Sequence, residues 1–539
     1  MIDIRQFYGV IPKLSARLLP EGYAAQAYNC DFNSGGLRSI KGVSSVQDTE
    51  ADTQTIYKMQ SSFLEWDGVV DVAKSLVADS GDRVFYTGAG YPKDTNATLA
   101  LSGSSPFPTS ARRLGIPAPS NALTVTLNGT AGEDIEHSSS YVYTLVGKWA
   151  DGSAVESSMS EPTAVFDVYS GITPRLTGFT DATADGAFTT HFRVYRLNPG
   201  NTGAEYQYVD EIAVTETQFD DTVTDDDLGE VLPSELWDAP PDDLSGLVAT
   251  SHGIFAGVSG NTIYPSEVFH PYAFPSDYTL VTESDIVGLG YTGSMIIALT
   301  KTVPYLLIGQ DPATMALQRL GYQQPCLSAR SIANVPGGVI YASPDGLYSI
   351  GESGQGTNLT RKIVTRAQWN ELGPEDLIGV YYDDSYFGFF AGTTAGFQLD
   401  LETGGYAPFT MTAAVYGAHY CPDDDLLYLV IAKGEGREIV SWGSGESVSK
   451  TWRSGEYTGN GIFEAGYVGA DFSDGSVTLN IYTDGSLSFT TTVSSDDIFF
   501  IPGRDGGVHQ VEVTGTVDVD RVILAHTYEE VANRLMNNG

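Results

Sequence analysis

The chain is poor in cysteine and has no long apolar run. Cys30, Cys326 and Cys421 are the only cysteines among 539 residues and lie far apart, which argues against a disulfide framework and against zinc. We expect three small buried thiols in a reducing compartment. No stretch of 18 apolar residues exists, so we expect no membrane insertion. The start, Met1 to Arg5, lacks the pattern of a signal peptide.

Positive charge is also scarce. The chain has 28 Lys and Arg against 68 Asp and Glu, a formal net charge of −40. Sequence-specific DNA binding needs a basic footprint, and none is visible in the sequence. Acidity instead keeps a large assembly soluble. An acidic wall would also let DNA move through a channel without sticking to it.

Motifs of catalysis are missing as well. The sequence contains no G-x-x-x-x-G-K-[ST] loop, no H-E-x-x-H, no C-x-x-C and no G-x-S-x-G, so nothing supports a nucleotide, zinc or hydrolase site. The seven histidines are scattered without a second ligand at metal-binding spacing. We therefore expect no enzyme activity, no cofactor and no metal, and we assign no catalytic residue.

Two acidic clusters raise the question of a metal site or a turn. Asp220-Asp221 with Asp225-Asp-Asp227 could chelate calcium through carboxylates in a loop, but the alternating order of a calcium loop is missing. Asp423-Asp-Asp425 follows Pro422 and precedes a strand, which is typical of a hairpin turn. Asp345-Gly346 is likewise expected to form a hairpin turn.

What the sequence does contain is a regular recurrence of short apolar strands. They begin at Ile254, Ile296, Val339, Tyr386 and Leu427, which by subtraction are 42, 43, 47 and 41 residues apart. A four-stranded propeller blade takes about 40 to 50 residues. With 60 Gly and 25 Pro for tight turns, the pattern predicts an all-β fold with a β-propeller.

The rhythm is interrupted twice, and this predicts the domain organisation. Strands of period two between residues 121 and 239 indicate an inserted β-sandwich of immunoglobulin or fibronectin type. A second sandwich with a short terminal helix, Tyr528 to Met536, is expected at the end. The predicted domains are an N-terminal arm (1–45), a first propeller part (46–120), the inserted sandwich (121–239), the rest of the propeller (240–445) and a C-terminal sandwich (446–539).

Several segments, taken in their order, resemble one family. They are Phe7-Tyr-Gly9-Val-Ile-Pro12, Leu18-Leu-Pro20, Ala27-Tyr-Asn29, Gly36-Leu-Arg38, Leu232-Pro-Ser-Glu-Leu-Trp237 with Pro240-Pro241, residues 288–309 with Asp311-Pro312, Cys326-Leu-Ser-Ala-Arg-Ser331, residues 338–346 and residues 521–532. Together they are similar to the tail nozzle (tail tubular protein B-like) proteins of short-tailed bacteriophages. The resemblance runs along most of the chain.

The resemblance implies a structural virion protein of the tail that is assembled in the host cytoplasm. Its copies, about six, would form a ring with heterologous contacts. Its other expected partners are the portal-adaptor ring, tail fibres or spikes, and double-stranded DNA that passes non-specifically through the lumen during genome ejection. The alternative is a carbohydrate-binding or glycoside-cleaving β-propeller, in which exposed aromatic residues with acids nearby would stack against sugars.

Overall fold

The structure, a computed structural model, describes residues 1–32, 35–77, 80–200, 203–293, 295–459 and 461–536. It divides into two compact units. The first contains Met1–Tyr57, Glu65–Asp67 and Tyr322–Gly539, and the second contains Lys58–Leu64 and Gly68–Gly321.

The strands are short and are numbered along the chain. Those up to residue 113 are β1 (Ile2–Ile4), β2 (Tyr8–Val10), β3 (Tyr23–Tyr28), β4 (Cys30–Asp31), β5 (Arg38–Ser39), β6 (Ser44–Thr49), β7 (Thr55–Met59), β8 (Ser62–Trp66), β9 (Asp71–Lys74), β10 (Val84–Thr87), β11 (Lys93–Thr95) and β12 (Arg112–Arg113). The next are β13 (Thr124–Gly129), β14 (Ile135–Ser139), β15 (Tyr141–Lys148), β16 (Ala154–Glu156), β17 (Phe166–Tyr169), β18 (Ile172–Thr177), β19 (His191–Gly200), β20 (Gly203–Ala213) and β21 (Gln218–Asp220).

The strands that follow residue 240 continue the series. Up to residue 358 they are β22 (Ser245–Ala249), β23 (Phe255–Ser259), β24 (Thr262–Pro265), β25 (Leu280–Val281), β26 (Ile286–Tyr291), β27 (Ile296–Thr300), β28 (Tyr305–Ile308), β29 (Ala316–Arg319), β30 (Ala333–Val335), β31 (Gly338–Ser343), β32 (Gly346–Gly351) and β33 (Gly356–Asn358). The last are β34 (Leu377–Tyr382), β35 (Ser385–Phe390), β36 (Thr393–Asp400), β37 (Tyr406–Cys421), β38 (Leu426–Lys433), β39 (Gly436–Ser441), β40 (Lys450–Ser454), β41 (Tyr457–Thr458), β42 (Ala465–Ala470), β43 (Val477–Thr483), β44 (Ser486–Val493), β45 (Phe499–Phe500), β46 (Val508–Gly515) and β47 (Val519–Ala525).

Helices are few and short in the described part of the chain. They are α1 (Ala97–Ala100), α2 (Arg366–Glu371) and α3 (Tyr528–Met536). The terminal helix expected from the sequence is therefore confirmed. None of the described helices has the length and apolar character that a bilayer crossing requires.

The propeller-type sheets are four-stranded and antiparallel, with their strands in chain order. In the second unit they are β9–β12, β22–β25 and β26–β29, and in the first unit β30–β33 has the same arrangement. The apolar runs predicted from the sequence occupy the same place in successive sheets, because β23, β27 and β31 are each the second strand of a four-stranded sheet. A strand with a neighbour on both sides and packing on both faces needs an uninterrupted apolar sequence, which is why these strands were visible.

A seven-stranded sheet follows in the first unit. Its order is β34-β35-β36-β37-β38-β39-β6, and the 16-residue β37 pairs with β36 through its first half and with β38 through its second. The two remaining recurrent strands are its β35 and β38. The last strand, β6, comes from the N-terminal region and pairs antiparallel with β39, from Ser44 opposite Ser441 to Thr49 opposite Arg437. A strand from one end of the sequence thus completes a sheet built from the other end.

The inserted sandwich lies within the second unit. Its sheets are β16-β15-β19-β20, β13-β18-β21 and the pair β14-β17. Tyr141, Tyr143 and Leu145 of β15 are fully buried together with Phe192 and Val194 of β19. The period-two pattern of the sequence matches this arrangement, because alternate residues of β15 enter this core from one face of the strand. The fold class expected from the sequence, an all-β chain with β-propeller sheets and two β-sandwiches, is confirmed.

The N-terminal segment is integrated in the C-terminal sandwich and is not a separate arm. Strand β1 pairs with β47, and the parallel pair β2-β3 extends the sheet β40-β46-β43-β44 through β3 and β40. Phe7 is buried, and its ring meets that of Trp452 edge-on at 5.0 Å between centroids. The expectation of an arm at 1–45 is wrong in this respect. Its strands are short, and β1, β3 and β6 pair with strands from the far end of the sequence, so no local pattern could reveal those pairings.

Candidate functional site

A basic cleft is the most distinctive surface feature of the first unit. It is a cavity of about 940 Å³ whose lining includes four cationic side chains, Lys13, Arg361, Lys362 and Arg366. We use the name basic cleft for these four residues and the cavity they line. One carboxylate, that of Asp345, lies among them. The cleft therefore carries an excess of positive charge in a chain whose net charge is −40.

Two distant segments of the sequence build the cleft. Backbone hydrogen bonding joins Lys13 N to Ile363 O at 2.9 Å, and the Lys13 ammonium donates to Arg361 O at 2.9 Å. Gln368 Nε2 donates to Pro12 O at 2.9 Å. The N-terminal segment thus lies along residues 361–368 and brings its lysine to the arginines.

Local structure presents the cationic groups to solvent. Ile363 and Val364 are buried and hold the loop against the core, whereas Arg361 and Lys362 are exposed. Thr365 then caps α2 in a capping box with Gln368, which stabilises the first turn of the helix. The backbone that carries the cationic residues is therefore held in place by these buried side chains and by the helix cap.

The charges of the cleft are only partly compensated. Arg366 Nη1 lies 3.3 Å from Asp345 Oδ1, and Gln324 Nε2 donates to Asp345 Oδ2 at 3.1 Å. Asp345 stands in the turn between β31 and β32, so the hairpin turn expected at Asp345-Gly346 is confirmed. Within the described ranges, neither Arg361 nor Lys362 has a carboxylate at ion-pair distance. An anionic group is the natural occupant of such a surface.

Sequence reasoning missed this cleft. The run Arg361-Lys362 with Arg366 nearby was a possible signal in a chain so poor in cations. Lys13 could not have been added to it, because the contact depends on long-range folding.

The first acidic cluster is occupied by arginines, and its side chains do not suit calcium. Arg196 Nη1 lies 2.7 Å from Asp221 Oδ2, and Arg196 Nη2 lies 2.9 Å from Asp225 Oδ1. Tyr141 Oη donates to Asp221 at 2.5 Å, and Arg175 forms a two-pronged pair with Asp220. Burial and the adjacent carboxylate raise the pKa of Tyr141. The described residues contain no group of three or more His, Cys, Asp or Glu arranged to hold a metal ion.

The second acidic cluster forms a turn. Asp423 to Asp425 lie between β37 and β38, where Tyr428 Oη donates to Asp424 at 2.6 Å and Tyr420 Oη donates to Asp425 at 3.0 Å. The hairpin turn expected from the sequence is confirmed.

The three cysteines are buried and free, as expected. Burial raises the pKa of Cys30 and Cys326 to about 12. Since the thiolate is the reactive form, both thiols are held in the inert state at neutral pH.

A buried stack of cations and aromatic rings lies in the second unit. The Arg83 guanidinium is 4.3 Å from the centre of the Trp149 ring, and that of Arg112 lies 4.0 Å from Trp149 and 3.3 Å from Phe188. Arg83 Nε also donates to Asp94 Oδ1 at 2.8 Å. The stack joins the sheet β9–β12 to the inserted sandwich through contacts that need a charged guanidinium.

Lys450 is a fully buried lysine in the C-terminal sandwich. Its ammonium donates to Val517 O and to Ser39 Oγ, and the charged or ionisable groups around it are Cys30, Asp518 and Arg38. Burial lowers the pKa of Lys450 to about 8.

Comparisons with known proteins give no family. No family model matches the chain, and no curated protein matches it either. Among solved structures, the chain is similar to the extracellular domain of a one-component system from B. thetaiotaomicron, with 8% identity, a TM-score of 0.31 and coverage of 92% of this chain and 61% of that one. Yeast Sqt1 has 9% identity, a TM-score of 0.31 and coverages of 78% and 100%.

A third similar structure is the WD40 domain of Toxoplasma gondii coronin. It has 11% identity, a TM-score of 0.26 and coverage of 62% of this chain and 90% of that one. At such scores none of these structures bears on function.

We predict that Asp94→Ala destabilises the protein strongly. Removing one partner of a buried pair leaves the Arg83 charge uncompensated, which costs about 3–5 kcal/mol of unfolding free energy. The side chains of Arg83 and Asp94 are 9% and 2% exposed. The matched control is Asp220→Ala, which removes a two-pronged partner of Arg175 at the surface, where the exposures are 37% and 42%. Urea unfolding should show a large loss for the first variant and a small one for the second; equal losses would contradict the assignment.

We also predict that Lys450→Met stabilises the protein at pH 7 and removes a pH dependence. Between about pH 8 and the unfolded value of about 10.4, the folded chain binds fewer protons at this lysine than the unfolded chain, so wild-type stability should rise with pH across that window. The stability difference between wild type and variant should therefore shrink from pH 8 to pH 10 in thermal unfolding. The exposed control Lys301→Met should follow the wild-type profile. A difference independent of pH would refute the prediction.

Proposed function

We propose that the chain is the subunit of a bacteriophage tail nozzle. In this proposal about six copies form a ring that extends the channel of the portal and its adaptor ring, conducts the genome during ejection and anchors tail fibres or spikes. The resemblance of the ordered sequence segments to that family is the starting point. The role is structural, without catalysis, and its place is the tail of the virion.

The observation that best supports a mechanical role is the way the two ends of the chain are tied together. Strand β1 pairs with β47, β3 with β40, and β6 with β39. Arg521 and Arg534, near the C-terminus, both bind Asp3, with Nε–O distances of 2.8 and 2.7 Å. These guanidinium groups, together with that of Arg5, hold the pKa of Asp3 well below its usual range.

Such ties suit a part that carries load. A terminal strand inside a sheet can leave only when several backbone hydrogen bonds and its buried side chains are lost together, so the ends do not peel one residue at a time. A ring through which DNA is driven under pressure needs subunits whose ends stay in place. The acidic composition suits the same role, because a wall of negative charge repels the phosphate backbone at distances up to about 8 Å in physiological salt.

The test is the size and symmetry of the purified chain, alone and mixed with the adaptor ring. We expect mass photometry and electron micrographs to show closed rings of about six copies that stack on the adaptor, with the adaptor alone as control. A chain that remains a monomer under both conditions, and that binds or cleaves glycans, would contradict the proposal and favour the carbohydrate-active alternative.

A further inference from the structure

We propose that the basic cleft receives an acidic surface of a second copy of this chain and so forms the head-to-tail contact of the ring. This inference rests on the proposed function and names the surface that would join its subunits. It stands on the geometry and charge of Lys13, Arg361, Lys362 and Arg366.

The cleft is electrostatically unfavourable in the free subunit. Folding brings these four cationic side chains to one cavity, and Asp345 compensates only Arg366 directly. Like charges held together repel one another, and the repulsion is relieved when an anionic group arrives. The free subunit therefore retains an uncompensated positive surface that gains energy from an acidic partner.

Other copies of the chain can supply the carboxylates that the cleft lacks. The chain has 68 acidic residues against 28 basic ones, so another copy offers carboxylates in excess. Copies with a net charge of −40 repel each other at long range, and a basic cleft supplies attraction at contact distances, inside the screening length of about 8 Å. A second copy is therefore a partner whose acidic charge complements that of the cleft.

The symmetry of the contact also matters. A two-fold axis through the cleft would place both sets of cationic side chains against each other, so the cleft meets a different, acidic patch of another copy. When that pairing repeats head to tail, the contact closes into a ring or continues as a filament, which agrees with the ring of the proposed function.

The experiment uses the full-length chain and two matched double variants. Arg361→Glu with Lys362→Glu reverses two exposed charges of the cleft. Lys41→Glu with Arg504→Glu makes the same change in net charge at exposed residues outside it. Assembly of each is followed by mass photometry over a range of concentrations in 0.15 M salt, and circular dichroism with thermal unfolding checks that all are folded.

We expect the cleft variant to weaken assembly at least about tenfold, because like charges placed opposite each other at an interface cost more than 1.4 kcal/mol. The control variant should assemble within about threefold of wild type. If the cleft variant assembles like the control, the cleft inference is wrong while the nozzle proposal stands. If the wild type never assembles, alone or with the adaptor, the nozzle proposal fails and this inference fails with it.

Two further readouts identify the occupant. A carbodiimide condenses a lysine amine with a carboxylate in contact, the reagent taking up the water, so mixed ¹⁴N and ¹⁵N rings should give cross-links between Lys13 or Lys362 of one copy and an Asp or Glu of another. Fluorescence anisotropy with a short DNA duplex tests the rival class of partner. A cleft variant that keeps its assembly but loses DNA binding would show a nucleic-acid site and overturn the proposal.

Discussion

The pairing of the two ends of the chain is the constraint on which the first unit depends. Strand β39 would be the open edge of the seven-stranded sheet if β6 did not pair with it, and an open edge is a template for wrong association. The same holds for β40 and β47, which receive β3 and β1. These pairings extend sheets built from residues 322–536, and the N-terminal strands β6, β1 and β2 become their outer strands. They also place Lys13 beside Arg361, so the complete basic cleft forms only when the N-terminal segment is docked in this way.

The cationic residues have two different roles in the structure. They are few, and some are buried, where Arg83 and Arg196 neutralise Asp94 and Asp221. Buried pairs of this kind tolerate no loss of a partner and therefore fix the geometry of the sandwich and its neighbouring sheet. The basic cleft is different because its cations face solvent. This contrast is the reason we assign a structural role to the first group and a recognition role to the second.

The sequence predicted those parts of the fold that are determined locally. Strands β27, β31 and β35 are buried along their whole length, so their apolar runs and spacing were visible, and α3 was visible from its position and composition. Strands β1, β3 and β6 were hidden because each is short and pairs with a strand from the far end of the sequence. The acidic cluster at Asp220–Asp227 suggested a cation, and the cation proved to be arginine, from Arg196 and Arg175, whose approach depends on tertiary folding. The domain boundaries and the virion role stay predictions.

Hydrogen exchange of the backbone amides of β6 tests the closure of the chain most directly. We expect the amides of residues 44–49 that bond to β39 to exchange as slowly as those of β38, through an opening that also releases β39. Exchange of β6 at the rate of an exposed loop, while β38 stays protected, would contradict it. In that case the N-terminal segment would be a loose arm, and the mechanical role argued from its pairing would lose its support.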